Sequence, residues 1–313
     1  MEHYKNLNAI VLAGGKGSRL MPLTKLTPKP MLEIAGRPIL DYVVSQLKFY
    51  GISEVVFSLG YKWQKLASSI KNLEGIKPII SVENAPLGTL GAVKKASEFL
   101  SENFVVISGD CLSDINLADL ISSHEKSGAS VTMAVTPVSD PRLYGVLSLS
   151  DDGVITDFHE KPEDDRFGRL INCGVYVVNK RVLDLFPENH PCDFSLDLFP
   201  RLVSKREIYG FRHDGYWSDV GDTLSYYNAN LYFMKRTFYP MINRISDYPM
   251  LDDGSNYISQ RSRVLGKISS SVVCNGGVVC KNANLNACVV LPNSRVMGSH
   301  TRCIIQGNTV VPV

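Results

Sequence analysis

The 313-residue sequence has no long hydrophobic run and no excess of charge of either sign. No stretch approaches the roughly 18 apolar residues that a membrane-spanning helix needs, and the N-terminal MEHYKNLNAIV lacks the basic and apolar regions of a signal peptide. The 33 basic and 31 acidic residues give a net charge of +2, so no global field attracts nucleic acid or an anionic membrane. We therefore expect a cytoplasmic protein without nucleic-acid or membrane partners.

Cysteine pairs of the C-x-x-C type are also absent. The seven cysteines are an odd number in mostly apolar surroundings: Cys111, Cys173, Cys192, Cys274, Cys280, Cys288 and Cys303. Metal sites and disulfide frameworks depend on characteristic cysteine spacings. We therefore expect buried, reduced thiols.

Two common nucleotide-binding fingerprints are missing from the glycine-rich loop GGKG at 14–17, which follows the aliphatic run 10–12. Leu20 stands where a dinucleotide-binding G-x-G-x-x-G needs its third glycine, and the P-loop spacing also fails. A NAD-dependent oxidoreductase is therefore disfavoured. Glycine lets backbone N–H groups approach a polyanion, and Arg19 and Lys29 add two cations, which favours triphosphate binding. The alternative is an ordinary strand-to-helix turn with solvated charges.

The longer stretch from Ile10 to Pro30, IVLAGGKGSRLMPLTKLTPKP, resembles the signature of the sugar-phosphate nucleotidylyltransferases, also called nucleotide-sugar pyrophosphorylases. The resemblance implies a Rossmann-like domain that joins a nucleoside triphosphate to a sugar 1-phosphate and releases pyrophosphate. It also implies that Arg19 and Lys29 are catalytic. The nucleotide-binding residues implied in the loop are Leu12, Ala13, Gly14, Gly15, Gly17, Ser18 and Arg19.

The first half of the chain alternates between strand-like and helix-like segments. Apolar runs at 10–12, 55–59, 78–82, 104–108 and 130–135 alternate with amphipathic stretches around 39–50, 62–74, 89–101 and 117–127. Such alternation predicts an α/β fold with a mixed, mostly parallel sheet covered by helices. Ligands of these sheets bind at the carboxyl ends of the strands.

The segment ENAPLGTLG, 83–91, resembles the base-binding segment of the family and follows the third of these strands. A carboxylate accepts two hydrogen bonds and donates none, so Glu83 matches the N1–H and N2 amino donors of guanine, whereas a glutamine amide matches a pyrimidine. Glu83 therefore favours GTP over UTP or dTTP, unless it is only a solvated carboxylate. Pro86, Gly88 and Thr89 complete the predicted segment, and Thr89 is also a candidate helix N-cap.

Two aspartates are predicted to hold Mg²⁺. Asp110 directly follows a buried strand in Gly109-Asp110, a pair that the family also carries, and its carboxylate suits a hard cation. The segment GYWSDVGD, 215–222, resembles the second acidic site of the family, which makes Asp219 the partner ligand, while Asp222 fits a helix N-cap. This wording is most similar to the mannose-1-phosphate guanylyltransferase branch, in agreement with Glu83.

Three strand-like segments at 144–150, 154–162 and 171–179 resemble the sugar-binding half of the family. Gly145 would present backbone to the sugar, Glu160 would accept from its hydroxyls, and Asn172 could accept and donate. Lys161 is a cation for the sugar 1-phosphate. The segment 193–203 predicts a core helix capped at Asp193 or Ser195.

From about Val264 the sequence loses helical periodicity. Steps of six from Val273 reach mostly apolar residues: Val279, Leu285, Leu291, Met297 and Cys303. This register resembles a short left-handed parallel β-helix, with left-handed corners expected at Asn275, Asn282 and Asn286; a β-meander is the alternative. We predict a catalytic domain at 1–240, a linker at 241–263 and a β-helix at 264–313. In this family such β-helices commonly serve assembly, which suggests a homo-oligomer.

The reaction implied is an in-line displacement at the α-phosphorus by the sugar 1-phosphate, which is already anionic and needs no general base. Lys161 would fix the attacking phosphate. Two alternatives remain open. The first is a uridylyl- or thymidylyltransferase acting on glucose 1-phosphate, against which Glu83 is the single argument. The second is a non-catalytic, nucleotide-sugar-sensing regulatory subunit, which the retained charged residues disfavour.

Overall fold

A computed structural model describes residues 7–234, 250–252 and 255–313. The α-helices are α1 (Ile39–Phe49), α2 (Trp63–Ile70), α3 (Gly88–Lys95), α4 (Leu117–Ser127), α5 (Phe199–Lys205) and α6 (Thr223–Met234). Short 3₁₀ helices cover Ser18–Leu20, Leu23–Lys25, Lys29–Met31, Ser97–Phe99 and Lys180–Leu185, and a π-helical turn covers Phe194–Leu198. Parts of the predicted linker (241–249 and 253–254) and of the predicted catalytic domain (1–6 and 235–240) lie outside the described residues. Within the described residues, no helix combines the length and hydrophobicity required to span a membrane.

The contacts of the chain divide it into two units. The first unit contains residues 1–15 and 46–217, and the second contains residues 16–45 and 218–313. The chain therefore passes from the first unit to the second after Gly15, returns within α1, and passes again after Trp217.

The first unit is built on a nine-stranded sheet. Its strands are β1 (Asn8–Ala13), β2 (Glu54–Leu59), β3 (Lys77–Val82), β4 (Asn103–Ser108), β5 (Val131–Pro137), β6 (Gly145–Leu149), β7 (Ile155–Glu160), β8 (Leu170–Asn179) and β9 (Ile208–Arg212). The strand order is β7-β6-β8-β4-β1-β2-β3, with β5 pairing β8 and β9. Strands β3, β2, β1 and β4 are parallel, whereas β8 pairs antiparallel with β4, β5 and β6. This confirms the predicted Rossmann-like α/β fold with a mixed sheet.

The strands form where the sequence predicted them because their side chains are apolar on both faces. Ile10 of β1, Val56 of β2 and Phe104 of β4 are fully buried in one large core cluster. Burial of each such side chain contributes roughly 1.5–3 kcal/mol. Helix α4 is also bounded as the sequence dictates, since the Asn116 side chain accepts hydrogen bonds from two N–H groups of the first turn and Gly128 ends the helix at a φ of 61°.

Three predicted helices have different bounds in the structure. The stretch predicted at 62–74 forms only α2, Trp63–Ile70, and the stretch at 89–101 forms α3 followed by the 3₁₀ turn Ser97–Phe99. The segment 193–203 begins as the π-helical turn and continues as α5, whose Pro200 lies in the first turn and has no N–H to donate. Its Phe194, Leu198 and Phe199 are buried, as expected of a core element.

The second unit contains a parallel β-helix. Its strands are β10 (Met250–Asp252), β11 (Tyr257–Ser259), β12 (Arg263–Val264), β13 (Lys267–Ser269), β14 (Val272–Val273), β15 (Val278–Val279), β16 (Asn284–Val290), β17 (Arg295–Val296), β18 (Ser299–Gln306) and β19 (Thr309–Pro312). One face stacks β11, β14, β16 and β18 in parallel, and another stacks β12, β15 and β17. Antiparallel β10 and β19 cover the two ends of the first stack. This stacking agrees with the predicted parallel β-helix, and its left-handed sense stays a prediction.

The β-helix shares its unit with α6 and the segment 16–45. The Tyr227 hydroxyl of α6 donates to the Ala287 carbonyl at 2.9 Å, and Gln306 Nε2 donates to the Leu23 carbonyl at 3.3 Å. Gly36, at a φ of 77°, lies so close to the Tyr257 hydroxyl that a Cβ would come within 2.1 Å of it. The coils therefore pack on segments that the sequence analysis assigned to the catalytic domain.

The strict six-residue register is wrong at one position. Val273, Val279, Leu285, Leu291 and Cys303 are buried, but Met297 is 61% exposed and Val296 takes the inward place. The reason is the coil length, since residues 257, 272, 289 and 304 are in register and successive coils therefore hold 15, 17 and 15 residues. Three full hexapeptides would need about 18.

The prediction that three asparagines form left-handed corners of the β-helix is also wrong. None of Asn275, Asn282 and Asn286 has a positive φ. A left-handed φ is found instead one residue later, at Gly276 after Asn275 and at Ala287 after Asn286. Asn293 also has a left-handed φ. Glycine tolerates this conformation without strain, so Gly276 adopts the positive φ of the turn and Asn275 does not need to.

Candidate functional site

The candidate site in the first unit lies at the carboxyl ends of four parallel strands. Gly14 follows β1, Gly60 follows β2, Glu83 follows β3 and Gly109 follows β4. The Tyr61 amide donates to the Gly14 carbonyl at 3.1 Å, and the Gly109 amide donates to the Leu12 carbonyl at 2.9 Å. The structure therefore brings the start of the glycine loop, the predicted base-binding segment and the predicted metal-binding segment to one edge of the sheet.

Gly14 and Gly60 are in close backbone contact. A Cβ on Gly60 would come within 2.8 Å of the Gly14 carbonyl oxygen, and a Cβ on Gly14 would come within 3.0 Å of Glu83 Oε1. Here glycine is required by close approach, because neither residue has a positive φ. Gly17 is the loop residue with a left-handed φ, of 62°, and it precedes the 3₁₀ turn Ser18–Leu20.

The half-buried Glu83 carboxylate is held at both of its oxygens. The Ser58 hydroxyl donates to Oε1 at 3.1 Å, and the Leu87 amide donates to Oε2 at 3.0 Å. The Glu83 amide itself donates to the Leu59 carbonyl at 2.8 Å. Because backbone and side chain are both anchored, Glu83 presents its carboxylate in a fixed orientation.

The prediction that Thr89 caps its own helix is wrong. Helix α3 begins at Gly88, its N-cap position is Leu87, and no side chain of that residue caps it. The cap comes from a distant segment, since Asp193 Oδ1 accepts from both the Thr89 amide and the Thr89 hydroxyl at 2.9 Å. The Cys192 carbonyl accepts from the next two amides of α3. Asp193 thus replaces the cap that sequence reasoning placed on Thr89.

Asp110 follows β4 and Gly109 at the same edge. Its Oδ1 accepts a hydrogen bond from the Ser108 hydroxyl at 2.5 Å, and its side chain is half-buried. Gly109 is buried, and a Cβ there would come within 3.0 Å of the Leu12 carbonyl oxygen. The close contact between β1 and this segment fixes the backbone that carries Asp110.

The predicted sugar-binding residues lie around the end of β7. The Gly145–Glu160 pair is in register between β6 and β7, and a Cβ on Gly145 would come within 3.1 Å of Glu160 Oε2. Lys161 Nζ lies 2.9 Å from Glu160 Oε1, and the Lys161 amide donates to the Tyr144 carbonyl. Lys161 has a φ of 46°, a strained conformation for a residue with a side chain. The structure thus brings Gly145, Glu160 and Lys161 together.

Asn172 has a local role that the sequence did not predict. Its Oδ1 accepts from the Gly174 amide at 2.8 Å, and its Nδ2 donates to the Tyr176 hydroxyl at 2.8 Å. These bonds span the register shift between β8 and β5. Burial raises the pKa of Tyr176, so its hydroxyl stays protonated. One N–H and one acceptor position of the Asn172 amide remain for a ligand.

A groove of about 420 Å³ lies beside Glu160. One wall is Phe167, whose ring stacks on His159 with centroids 3.7 Å apart and lies 4.9 Å from the Arg166 guanidinium. Ser195 and Leu196 also line the groove. The groove therefore connects the end of β7 to the segment that begins at Asp193.

In the second unit the predicted cations meet the second aspartate. Lys29 Nζ lies 3.6 Å from Asp219 Oδ1, and the Lys29 side chain is only 10% exposed. A Cβ on Gly221 would come within 3.0 Å of Asp219 Oδ2 and 3.2 Å of the Arg19 guanidinium. The second unit thus brings together three predicted catalytic residues, Arg19, Lys29 and Asp219.

Asp222 caps α6 as expected. Its Oδ1 accepts from the Ser225 amide at 2.8 Å, and its amide donates to the Ser225 hydroxyl at 3.0 Å. This reciprocal pair is a capping box. It sets the start of α6 at Thr223, four residues after Asp219, and explains Asp222 without a catalytic role.

Each unit offers one predicted carboxylate that suits a divalent cation. Among the described residues no group of three or more His, Cys, Asp and Glu side chains is arranged to hold a metal ion. Mg²⁺ is usually held by one or two carboxylates together with phosphate oxygens and water, and it does not require an all-protein cage. Asp110 in the first unit and Asp219 in the second supply hard oxygen donors of this kind.

Sequence reasoning missed two residues of the site. Ser58 and Asp193 touch predicted binding residues but lie far from them in the sequence. A signal existed for Ser58, because it is the single polar residue of the strand run VVFSL. Asp193 gave no comparable signal.

Comparison with known proteins identifies the family. A family model described as nucleotidyl transferase matches residues 8–236. The chain belongs to the nucleotidyl transferase family. Mannose-1-phosphate guanyltransferase from Candida albicans is 34% identical over 236 residues, which cover 73% of this chain and 65% of that protein. Mannose-1-phosphate guanylyltransferase catalytic subunit beta from Drosophila pseudoobscura pseudoobscura is 35% identical over 219 residues, covering 68% and 58% respectively. The chain thus spans less than two thirds of the length of these curated relatives.

Solved structures of this family share the fold. HddC from Yersinia pseudotuberculosis is 29% identical, with a TM-score of 0.64, and the match covers 72% of this chain and 99% of that chain. HddC has also been crystallised in complex with GMP-PN, and that structure gives a TM-score of 0.62.

Proposed function

We propose that this nucleotidyl transferase family member is an enzyme that transfers a guanylyl group from GTP to mannose 1-phosphate, giving GDP-mannose and pyrophosphate. The observation that carries the proposal is Glu83, a fixed carboxylate at the carboxyl end of β3 in the segment that resembles the base-binding segment.

The base preference follows from hydrogen-bond chemistry. Guanine presents two adjacent donors, N1–H and the N2 amino group, on one edge, and a carboxylate offers two acceptor oxygens. Uracil and thymine present a donor beside a carbonyl acceptor, and a carboxylate has no donor for that carbonyl. The names of the Candida albicans and Drosophila relatives support guanine and mannose 1-phosphate, and the HddC complex with GMP-PN supports guanine.

The phosphate chemistry requires charge neutralisation and needs no general base. The attacking oxygen of a sugar 1-phosphate is already anionic near neutral pH, so the enzyme must hold two anions in line and stabilise a charged transition state. We assign the triphosphate to Arg19 and the amides of the loop 14–18. Lys29 would neutralise charge between donor and acceptor. The exposed Lys161 would hold the phosphate of the sugar 1-phosphate, while Glu160 accepts from the sugar hydroxyls.

We further propose Mg²⁺ as the cofactor, with Asp110 and Asp219 as its protein ligands. When bound, the cation would neutralise charge on the phosphate oxygens of the nucleotide. Lys29 beside Asp219 and Ser108 beside Asp110 would orient the two carboxylates for that purpose.

The remaining proposals concern organisation. We assign catalysis to residues 1–240 and assembly into a homo-oligomer to the β-helix 264–313, joined by residues 241–263. The seven free thiols suit a reducing compartment such as the cytosol. Light scattering coupled to size exclusion tests the assembly, since a strictly monomeric protein would contradict it.

The deciding experiment measures pyrophosphate release from the purified protein with Mg²⁺. It crosses GTP, UTP, dTTP, CTP and ATP with mannose 1-phosphate and glucose 1-phosphate. Release confined to GTP with mannose 1-phosphate is the expected result. Preference for UTP or dTTP would support nucleotidylyl transfer but reject guanine recognition by Glu83. No release with any pair would favour a regulatory subunit.

The variant Glu83→Gln tests the base argument separately. The amide offers one donor and one acceptor where guanine needs two acceptors, so the GTP-to-UTP ratio of kcat/KM should fall by about tenfold or more. Glu54→Gln, an exposed carboxylate at the start of β2, is the matched control. An unchanged ratio in Glu83→Gln would reject Glu83 as the base reader.

A further inference from the structure

We propose that Ser58 is a positioning residue that sets the guanine selectivity of Glu83. This inference rests on the proposed function, because it concerns how the base-reading carboxylate is oriented. Ser58 lies on β2 and is only 1% exposed, so its hydroxyl is shielded from solvent and does not take part directly in the reaction. Its hydroxyl donates to Glu83 Oε1 at 3.1 Å.

The first step is to count the acceptor positions of Glu83. An ionised carboxylate has about four lone-pair positions, two on each oxygen. Among the described residues, Ser58 donates to Oε1 and the Leu87 amide donates to Oε2, so the protein uses one position on each oxygen. One position on each oxygen therefore remains, which matches the two adjacent donors of guanine.

The second step is that the two bonds fix the plane of the carboxylate. With Leu87 alone, the group could rotate about its last torsion, which is broad and weakly restrained. The Ser58 hydroxyl supplies the second anchor on the other oxygen. Gly14 closes a further side, since a Cβ there would lie 3.0 Å from Oε1.

The third step is that Ser58 is itself rigid. Its backbone is in register with Leu12 of β1 on one side and Ser81 of β3 on the other. Because Ser58 lies on the middle one of three parallel strands, its hydroxyl has a fixed position in the sheet and holds Glu83 relative to it. The selectivity of the exposed loop is therefore determined by a residue that the nucleotide does not touch.

The test compares Ser58→Ala with Ser81→Ala in the full chain. Ser81 is the register partner of Ser58, is also buried, and makes no hydrogen bond to Glu83 in the structure, so it controls for loss of a buried hydroxyl. Initial rates are measured with GTP and with ITP, whose base keeps N1–H but lacks the 2-amino group. Thermal unfolding of each variant is recorded in parallel.

In Ser58→Ala the KM for GTP should rise about three- to tenfold, the scale of one hydrogen bond, while kcat changes less than about twofold. The ratio of kcat/KM for GTP to that for ITP should fall by about threefold or more, because a tilted carboxylate loses the second donor first. Ser81→Ala should leave the ratio unchanged. A purely structural role of Ser58 would lower the melting temperature without moving this ratio.

An unchanged GTP-to-ITP ratio in Ser58→Ala would overturn the inference while leaving the proposed function intact. A wild-type protein with no GTP preference would overturn both, so the two failures are distinguishable. If Ser58→Ala does not fold, Ser58→Cys keeps the volume with a weaker donor, and its ratio should also fall. An unchanged ratio in Ser58→Cys would then reject the inference.

Discussion

Replacement of Glu33 by glutamine should remove a loss of stability that the wild-type protein suffers as the pH rises. Glu33 lies in the second unit, and its buried Oε2 has no hydrogen-bond partner among the residues that the structure describes. Burial raises the pKa of Glu33 from 4.5 to about 7, partly offset by a hydrogen bond from the Asn275 backbone and increased slightly by the charge of Asp41. The folded protein therefore holds a proton that the unfolded chain releases.

The sign and size follow from proton linkage. Because the folded pKa exceeds the unfolded pKa, the unfolded chain binds fewer protons between about pH 4.5 and 7, and stability falls with rising pH in that window. For pKa values of 4.5 and about 7, the loss between pH 5 and pH 8 is about 2.5 kcal/mol, an order-of-magnitude figure. Glu33→Gln has no such proton to lose.

The assay is urea unfolding of wild type and Glu33→Gln at several pH values from 5 to 8. Only the difference between the two pH profiles is interpreted, since the substitution also changes stability at every pH. The exposed Glu54→Gln serves as the control. Parallel profiles for wild type and Glu33→Gln would refute the reasoning and indicate that the Glu33 carboxylate is solvated.

Three further predictions follow from the structure. Asp110→Asn should lower kcat by at least about a hundredfold with an unchanged melting temperature. The control Asp151→Asn changes an exposed aspartate in a turn and should stay active. Both are measured by steady-state kinetics with Mg²⁺, and near-wild-type turnover of Asp110→Asn would remove Asp110 from the cation site. Lys29→Met should lower kcat by a similar factor, and the exposed Lys25→Met should not; equal rates would argue against charge neutralisation by Lys29. Burial lowers the pKa of His124, so below pH 6.5 the unfolded chain binds a proton at this histidine that the folded protein does not, and the wild type loses stability. His124→Gln should remove this loss. Melting curves at pH 5 and 7 check this, and an unchanged pH dependence would contradict it.

The strand-helix alternation and the ends of the strands could be predicted from the sequence because they depend on local patterns. Apolar runs bounded by glycine gave β1 to β4, and the residues after β1, β3 and β4 meet at one edge of the sheet because parallel strands end together. Asp222 was predictable as a cap for the same reason, since its partner is only three residues away.

Features that depend on distant contacts could not be predicted. Thr89 has the right chemistry for an N-cap, but Asp193, 104 residues away, supplies the acceptor. The inward position after Leu291 is Val296 and not Met297, because the coil length depends on tight turns that a fixed period ignores. In each case tertiary contacts overrode a local rule.

The division of the second unit into two chain segments affects how the protein is made. Residues 16–45 emerge from the ribosome early, but the α6 and β-helix residues on which they pack follow only after residue 218. Positions 19 and 219 are 200 residues apart, so at about 5–20 residues per second roughly 10–40 s of synthesis separate them. During that time Lys29 has no Asp219 to pair with, and the first unit, complete at Trp217, is the part that can fold first. The Lys29–Asp219 ion pair is therefore assembled late in synthesis, once the chain beyond residue 218 is available.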